Sequence, residues 1–205
     1  MTDPSVQPST MTPLAHSVTL ICHPQTRTDV VRGITAHVGR STRRTLAVEF
    51  VLDADPGRLR IPPARASCLT HGLWEHTCFE AFIALDNSPG YHELNFAPSG
   101  EWALYAFQSY REIAPLPDEM VAPEIHVRCF ADRLELDANV RLDSLSAMHA
   151  TAPLRLALSV VIEDNSGNLS YWALRHPPGK PDFHHPDAFA LTLQVPGVDS
   201  GVDPR

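Results

Sequence analysis

Residues 133–142 read RLELDANVRL, in which polar and apolar side chains alternate without interruption. Successive side chains of a β-strand point to opposite faces of the sheet, so this pattern predicts a strand with one buried face. Two further stretches alternate in the same way. Their apolar faces comprise Leu46, Val48, Phe50 and Leu52 in one, and Leu154, Leu156, Leu158, Val160 and Ile162 in the other.

Shorter stretches of similar composition lie between clusters of proline. They predict strands at 29–38, 77–85, 91–97, 102–109, 124–130, 170–174 and 188–195. The 19 prolines among 205 residues, about twice the usual ~5%, exclude long helices, because proline removes a backbone donor and clashes with the preceding turn. About ten antiparallel strands with short turns predict an all-β fold, an antiparallel β-sandwich or jelly roll.

Two hairpins between 79 and 107 can be placed in register from their apolar positions. The predicted partners are Phe79–Phe96, Ala81–Leu94 and Ile83–His92, then Phe96–Ala103, Leu94–Tyr105 and His92–Phe107. The opposite face would carry Glu80, Tyr91, Glu93, Asn95 and Trp102. Acids, an amide and amphipathic aromatics on one face predict a polar ligand-binding surface. A mixed face covered by a loop or a second sheet is the alternative.

Composition limits the classes of partner. With 16 basic and 24 acidic residues the formal net charge is −8, which argues against sequence-independent binding to nucleic acids or anionic membranes. The first 13 residues lack the basic and apolar regions of a secretory signal, and no stretch approaches the ~20 apolar residues of a membrane span. We therefore expect a cytoplasmic protein. It would consist of one domain at 16–196, with a flexible lead-in at 1–15 and a flexible tail at 197–205.

The cysteines point to the same compartment. Cys22, Cys68, Cys78 and Cys129 are widely spaced and form no CxxC motif. We expect all four to be reduced and at least three to be mostly buried.

Three segments resemble the DOMON-like family, which is related to carbohydrate-binding module family 9. They are LWEHTCFEAFI at 73–83, YHELNFAPSGEW at 91–102 and SYWALRH at 170–176, the last followed by PDFHHP at 181–186. The resemblance spans roughly residues 18–195 and implies an immunoglobulin-like or jelly-roll β-sandwich. It also implies relatives that bind sugars or, in some domains, haem.

Sugar recognition needs flat aromatic faces and polar side chains that hydrogen-bond hydroxyl groups. The candidate aromatic residues are Trp74, Tyr91, Trp102, Trp172, Tyr110 and Tyr171, and the candidate polar residues are Glu80, Glu93, Asn95, Arg111 and Arg175. Packing in the core or at its rim is the simpler interpretation of any single tryptophan. Trp74 is the best exception, because it ends a long loop at 53–73.

The segment 175–187 concentrates potentially cationic groups in an acidic protein. These are Arg175, His176, Lys180, His184 and His185, on a loop that four prolines should make rigid. We expect the loop to fold over the sandwich toward Trp74 or Trp102 and to suit an anionic ligand such as a carboxylate, phosphate or uronic acid. An ordinary rigid surface loop is the alternative.

No cofactor or metal is predicted. The 11 histidines show neither zinc-finger nor HExxH spacing, and no CxxCH haem attachment motif exists. The sequence also lacks GxSxG, P-loop and GxGxxG motifs. We predict a non-catalytic binding module for a carbohydrate or another small polar ligand. The alternatives are a protein-interaction module, with self-association left open, and a glycan-acting enzyme that uses Glu80 and Glu93 as a carboxylate pair.

Overall fold

The computed structural model describes residues 16–116 and 121–196. In this part of the chain the strands are β1 (His16–Cys22), β2 (Val31–Thr42), β3 (Thr45–Ala54), β4 (Cys78–Leu85), β5 (Tyr91–Phe96), β6 (Trp102–Ser109), β7 (Glu112–Ala114), β8 (Glu124–Cys129), β9 (Arg133–Arg141), β10 (Leu154–Glu163), β11 (Leu169–Ala173) and β12 (Leu191–Leu193). The helices are α1 (Leu142–Leu145) and α2 (Ala147–Thr151), with 3₁₀ turns at Pro56–Arg58, Leu73–Glu75 and Pro186–Ala188. No helix within these ranges is long and apolar enough to cross a membrane. The predicted flexible segments 1–15 and 197–205 lie outside the described residues.

The strands form two antiparallel layers, which confirms the predicted all-β sandwich. The first layer runs β8-β9-β3-β2-β1, and the second runs β11-β10-β4-β5-β6-β7. Strand β1 pairs with both β2 and β11, so one continuous hydrogen-bonded path folds over to make both layers. Strand β12 lies beside the first residues of β10.

The core lies between the layers and follows the predicted alternation. On β9, Leu134 and Leu136 are fully buried, and Leu136 pairs with Phe50 on β3. Phe50 meets Phe79 of β4 in the opposite layer, with ring centroids 5.3 Å apart. The period-two pattern of the sequence therefore supplies the apolar inner face of each layer.

The two predicted registers had different outcomes. The β4–β5 pairing is confirmed, with Phe79 opposite Phe96. The β5–β6 pairing was wrong by one residue, since Phe96 lies opposite Trp102 and both side chains enter the core. The connecting turn closes between Ala97 and Glu101, and Gly100 adopts a left-handed φ of 91°. This places one more residue in the turn than predicted and inverts every side chain of β6.

The structure also differs from the sequence predictions in three strands and in the burial of the cysteines. Strands β1 and β7 were not predicted, and the predicted strand 188–195 is reduced to β12. The expected burial of at least three cysteines was also wrong. Only Cys78 is buried among the four free thiols, because Cys68 and Cys129 are exposed and Cys22 is half-buried.

The side of the second layer that faces away from the core is called the outer face below. It carries every second residue of the strands, among them Glu80, Phe82, Glu93, Asn95, Tyr105, Phe107, Ser159, Val161 and Tyr171. Phe183 and Phe189, which follow β11, pack onto Phe82 and Tyr91 of this face. The outer face is therefore partly covered by the chain that follows β11.

Candidate functional site

A pocket of 410 Å³ opens on the outer face. Its lining residues are Trp74, Glu80, Glu93, Tyr105, Phe107, Arg111, Ile113, Val161, Tyr171, Pro181, Phe183 and His184. The sheet supplies one wall, the 3₁₀ turn Leu73–Glu75 supplies a second, and the β6–β7 region and the chain after β11 supply the remainder.

Two buried carboxyl groups belong to the sheet wall. Glu80 lies opposite Asn95 in the β4–β5 register, and Glu93 lies opposite Phe82, so the two acids are diagonal neighbours. Such positions are roughly 7–8 Å apart, within reach of long side chains. Glu80 is 2% exposed and accepts a hydrogen bond from Ser159 Oγ at 3.0 Å. Glu93 is 5% exposed and accepts one from Asn95 Nδ2 at 2.9 Å.

This pairing favours the protonated form of the acids. Burial raises the pKa of Glu80 well above its usual range, and the nearby charge of Glu93 raises it further. Burial also raises the pKa of Glu93, but the Asn95 hydrogen bond and the Arg111 charge oppose that shift. Glu80 is therefore the carboxyl group that keeps its proton to the higher pH.

His184 lies beside the acids in an aromatic box. Its ring meets Phe82 and Phe107 edge-on, with centroids 5.2 and 5.1 Å away. The Tyr91 hydroxyl accepts the Arg111 backbone N–H at 3.1 Å and shares a second hydrogen bond with Nδ1 of His184 at 2.8 Å. Nε2 of His184 lies 3.6 Å from a Glu93 oxygen. Burial lowers the pKa of His184 to about 4, so the ring is neutral at pH 7.

Arg111 occupies a strained position at the pocket rim. It follows β6 with a left-handed φ of 56°, a conformation that costs a non-glycine residue about 1–2 kcal/mol. Its guanidinium donates to Asp182 at 2.9 Å, and the Tyr110 hydroxyl donates to the same carboxylate at 2.7 Å. The only arginine in the pocket lining is thus already paired by the chain that follows β11.

Trp74 forms the most exposed aromatic wall, with 43% of the residue accessible. Its ring meets Tyr105 edge-on at 5.6 Å, and Tyr105 shares a hydrogen bond with His71 at 2.8 Å. Gly72, with a φ of 79°, starts the turn that carries Trp74. Behind this turn, buried Glu163 accepts hydrogen bonds from His76 and Arg60, both at 2.7 Å. These contacts hold Trp74 over the sheet.

The structure brings together seven of the predicted site residues. Trp74, Glu80, Glu93, Arg111 and His184 line the pocket, while Tyr91 and Asn95 support His184 and Glu93 from beside it.

The other predicted site residues lie elsewhere. Trp102 and Trp172 are core residues, a correction that follows for Trp102 from the β5–β6 register. Arg175 and Lys180 are exposed outside the pocket lining. His176 bonds the Ile21 carbonyl at 2.7 Å, and His185 accepts from the Asp187 N–H that begins the last 3₁₀ turn. The predicted cationic rim is therefore not formed, although His184 does reach the pocket as expected.

Several lining residues were not selected from the sequence. They are Tyr105, Phe107, Ile113, Val161, Pro181 and Phe183, whereas Tyr171, which also lines the pocket, is one of the aromatic candidates that the sequence suggests. The correct register would have found Tyr105 and Phe107, because it places Tyr105 directly opposite Glu93. The alternation along β11 sends Tyr171 to the outer face and Trp172 to the core.

Within 16–116 and 121–196, no three His, Cys, Asp or Glu side chains converge closely enough to hold an ion. The pocket can bind a ligand through hydrogen bonds to the carboxyl groups of Glu80 and Glu93 and through contact with its aromatic rings.

Fold and site together define a β-sandwich with an aromatic, acid-bearing pocket on the outer face of one layer. No protein-family model matches the sequence, and no curated protein matches it. Solved structures do share the fold. A candidate carbohydrate-binding protein from Bacteroides uniformis ATCC 8492 superposes with a TM-score of 0.59 and 14% identity, over 87% of this chain and 85% of that one.

Two structures of a carbohydrate-binding module of family 9 from Caldicellulosiruptor kristjanssonii are also similar. The complex with glucose gives a TM-score of 0.58 at 10% identity, and the complex with cellotriose gives 0.52 at 13%. Each comparison covers 87% of this chain and 83% of the other. At these identities the comparisons establish the shared β-sandwich fold.

Proposed function

We propose that this protein is a non-catalytic carbohydrate-binding module whose site is the outer-face pocket. The observation that carries the proposal is the joint presence of exposed Trp74 and of two buried carboxyl groups, Glu80 and Glu93, in one pocket. Aromatic rings cover the apolar face of a sugar, and carboxyl groups hydrogen-bond its hydroxyls. The fold it shares with modules solved in complex with glucose and cellotriose supports this assignment.

The dimensions of the pocket indicate a small ligand. Its 410 Å³ lies near the lower end of the ~300–1,000 Å³ typical of small-molecule sites. Tyr110 and Ile113 are exposed near the β6–β7 turn and extend the apolar surface beside Arg111. We therefore propose a ligand of one or two sugar rings rather than a long polysaccharide.

Three finer assignments belong to the same proposal. Membership of the DOMON-like family rests on the segments 73–83, 91–102 and 170–176. A single domain at 16–196 and a cytoplasmic location rest on composition, and a soluble sugar or sugar derivative would suit that location.

A glycan-acting enzyme is the second candidate, and one observation favours it. The environments of Glu80 and Glu93 separate their pKa values, as in acid–base pairs of glycosidases. Release of nitrophenol from aryl glycosides, lost in both Glu80→Gln and Glu93→Gln, would support this candidate. The binding module is expected to leave such substrates intact.

Calorimetric titration with glucose, cellobiose and their amino and acidic derivatives tests the proposal. We expect Trp74→Ala to weaken binding by about tenfold or more, since stacking against a sugar face is lost. Phe130→Ala is the matched control, because Phe130 is similarly exposed but follows β8 in the other layer. Absence of binding to every sugar, or equal binding by wild type and Trp74→Ala, would refute the proposal.

A further inference from the structure

The charges around the pocket do not suit the anionic ligand that the sequence suggested. Glu80 and Glu93 are the acidic groups of its lining, and Arg111 is the basic one. The Arg111 guanidinium is committed to Asp182, and the His184 ring is neutral at pH 7. An added carboxylate or phosphate would therefore lie against two carboxyl groups, with no free cation to offset its charge.

Hydrogen-bond acceptors also outnumber donors at the acids. Ser159 and Asn95 Nδ2 each serve one carboxyl oxygen, and His184 Nε2 at 3.6 Å is too distant from Glu93 for a normal hydrogen bond. Buried acceptors without donors are costly, so this wall favours a ligand that brings N–H or O–H groups.

The aromatic lining adds a preference for positive charge. The rings are those of Trp74, Tyr105, Phe107, Tyr171 and Phe183. Aromatic faces attract cations, and ammonium groups are bound by clusters of such rings. Among the described residues, the arginine–ring contacts involve Tyr110, Phe130 and Phe189, so no arginine occupies the rings of the pocket.

We propose that the ligand carries a protonated amine, as in an amino sugar, and that its ammonium group binds between Glu80, Glu93 and the aromatic wall. This inference rests on the proposed carbohydrate-binding function and specifies the chemical class of the sugar. An ammonium group has three donors and no acceptor, which matches a wall of carboxyl oxygens. Bound there, its positive charge would lower the pKa of both acids and so favour the carboxylate forms that burial disfavours in the free protein.

Binding of a series of related sugars to the wild-type protein tests the inference, and this test needs no variant. Calorimetric titrations near pH 7 would compare glucosamine, glucose, N-acetylglucosamine and glucuronate. We expect glucosamine to bind about tenfold or more tightly than glucose, and N-acetylglucosamine to lose that advantage because acetylation removes the charge. Glucuronate should bind most weakly. The glucosamine advantage should shrink as salt is added.

Variants locate the charge contact. Glu93→Gln should weaken the binding of both sugars, but that of glucosamine about tenfold more than that of glucose, because only glucosamine loses a charge contact. Glu124→Gln, on exposed strand β8 of the other layer, is the control and should change neither. Equal loss of both ligands in Glu93→Gln would assign Glu93 to hydroxyl recognition and overturn the amine contact.

The failures of the two proposals are distinguishable. Equal affinity for glucose and glucosamine would overturn the amine inference and leave the carbohydrate-binding function standing. Binding of tetramethylammonium or choline without binding of any sugar would refute the carbohydrate function and retain the cation preference. No binding of sugars or of these cations would refute both.

Discussion

Glu80 and Glu93 lie diagonally across two neighbouring strands, both buried on the outer face, and neither forms an ion pair with a lysine or arginine of the described residues. A buried carboxyl group without a cationic partner is costly, and apolar residues would serve a purely structural role better. Paired acids with raised pKa values are typical of sites that bind or react. This relationship therefore yields a prediction about stability as well as one about ligands.

Glu80→Gln should stabilise the folded protein at neutral pH. The folded-state pKa of Glu80 is raised, so its stabilising contribution is complete below the unfolded value and is lost as pH rises through the folded value. Glutamine keeps the shape and does not titrate. We expect a gain of about 1–2 kcal/mol in the free energy of unfolding near pH 7.5 and little or no gain near pH 4, measured by urea denaturation.

The exposed acid Glu124 on β8 provides the comparison, since Glu124→Gln should leave stability unchanged at both pH values. A Glu80→Gln protein that is destabilised at pH 7.5 would mean that the carboxylate itself holds the strands together. That result would contradict the expectation that burial of the ionised Glu80 side chain destabilises the folded protein.

Replacement by alanine should affect mainly stability at Trp102 and mainly sugar binding at Trp74. Trp102 is 6% exposed and packs in the core, so Trp102→Ala should cost about 3–5 kcal/mol of stability. Trp74 is 43% exposed, and Trp74→Ala should lower stability by less than about 1 kcal/mol while removing sugar binding. Thermal denaturation alongside calorimetry measures both effects. A Trp102→Ala protein with unchanged stability and lost binding would restore Trp102 to the site.

The alternation of apolar residues made most strands predictable, whereas one turn residue misplaced β6. In the β4–β5 hairpin the apolar side chains match in a single register, which the structure confirms. On β6, residues 102–107 include Trp102, Leu104, Tyr105 and Phe107, so both faces are apolar enough to be the buried one. The conformation of the turn at Gly100 determines which face of β6 is buried, and the residue types alone do not indicate that conformation.

The candidate site was predictable where it lies on strands and not where it depends on loop paths. Glu80, Glu93 and Asn95 follow from alternation on β4 and β5. The cationic residues of 175–187 follow a path set by packing of Phe183 and Phe189 onto the outer face, which turns His184 inward and leaves Lys180 exposed. Such long-range packing leaves no periodic pattern in the sequence.

Gly100 should be essential for the β5–β6 register. Its φ of 91° is unfavourable for any residue with a side chain, and an added Cβ would lie 3.4 Å from the Arg65 carbonyl oxygen. Gly100→Ala should therefore cost more than about 1 kcal/mol of stability. Gly33→Ala is the control, because nothing lies within 4 Å of a Cβ there. Equal stability of the two variants in urea denaturation would contradict the role of this turn.

Acid should destabilise the protein partly through His149, a buried residue of α2. Its Nδ1 shares a hydrogen bond with Ser146 at 2.7 Å, its ring meets His92 edge-on at 4.9 Å, and the Arg40 guanidinium bonds the neighbouring Ala150 and Ala152 carbonyls. Burial, together with the His92 and Arg40 charges, lowers the pKa of His149 to about 4. The unfolded chain, near ~6.5, therefore takes up the proton first.

Stability should accordingly fall as pH decreases from about 6.5 toward 4 and should fall less steeply in His149→Gln. Each pKa unit corresponds to about 1.4 kcal/mol, and with partial solvent screening we expect a difference on the order of 2 kcal/mol between pH 7 and pH 4.5. His184, whose pKa is lowered in the same way, should supply much of the decrease that remains in the variant. His126→Gln, at an exposed position of β8, should reproduce the wild-type slope. Parallel slopes for wild type and His149→Gln in urea denaturation would show that His149 takes up its proton equally readily in the folded and unfolded states, in conflict with its burial.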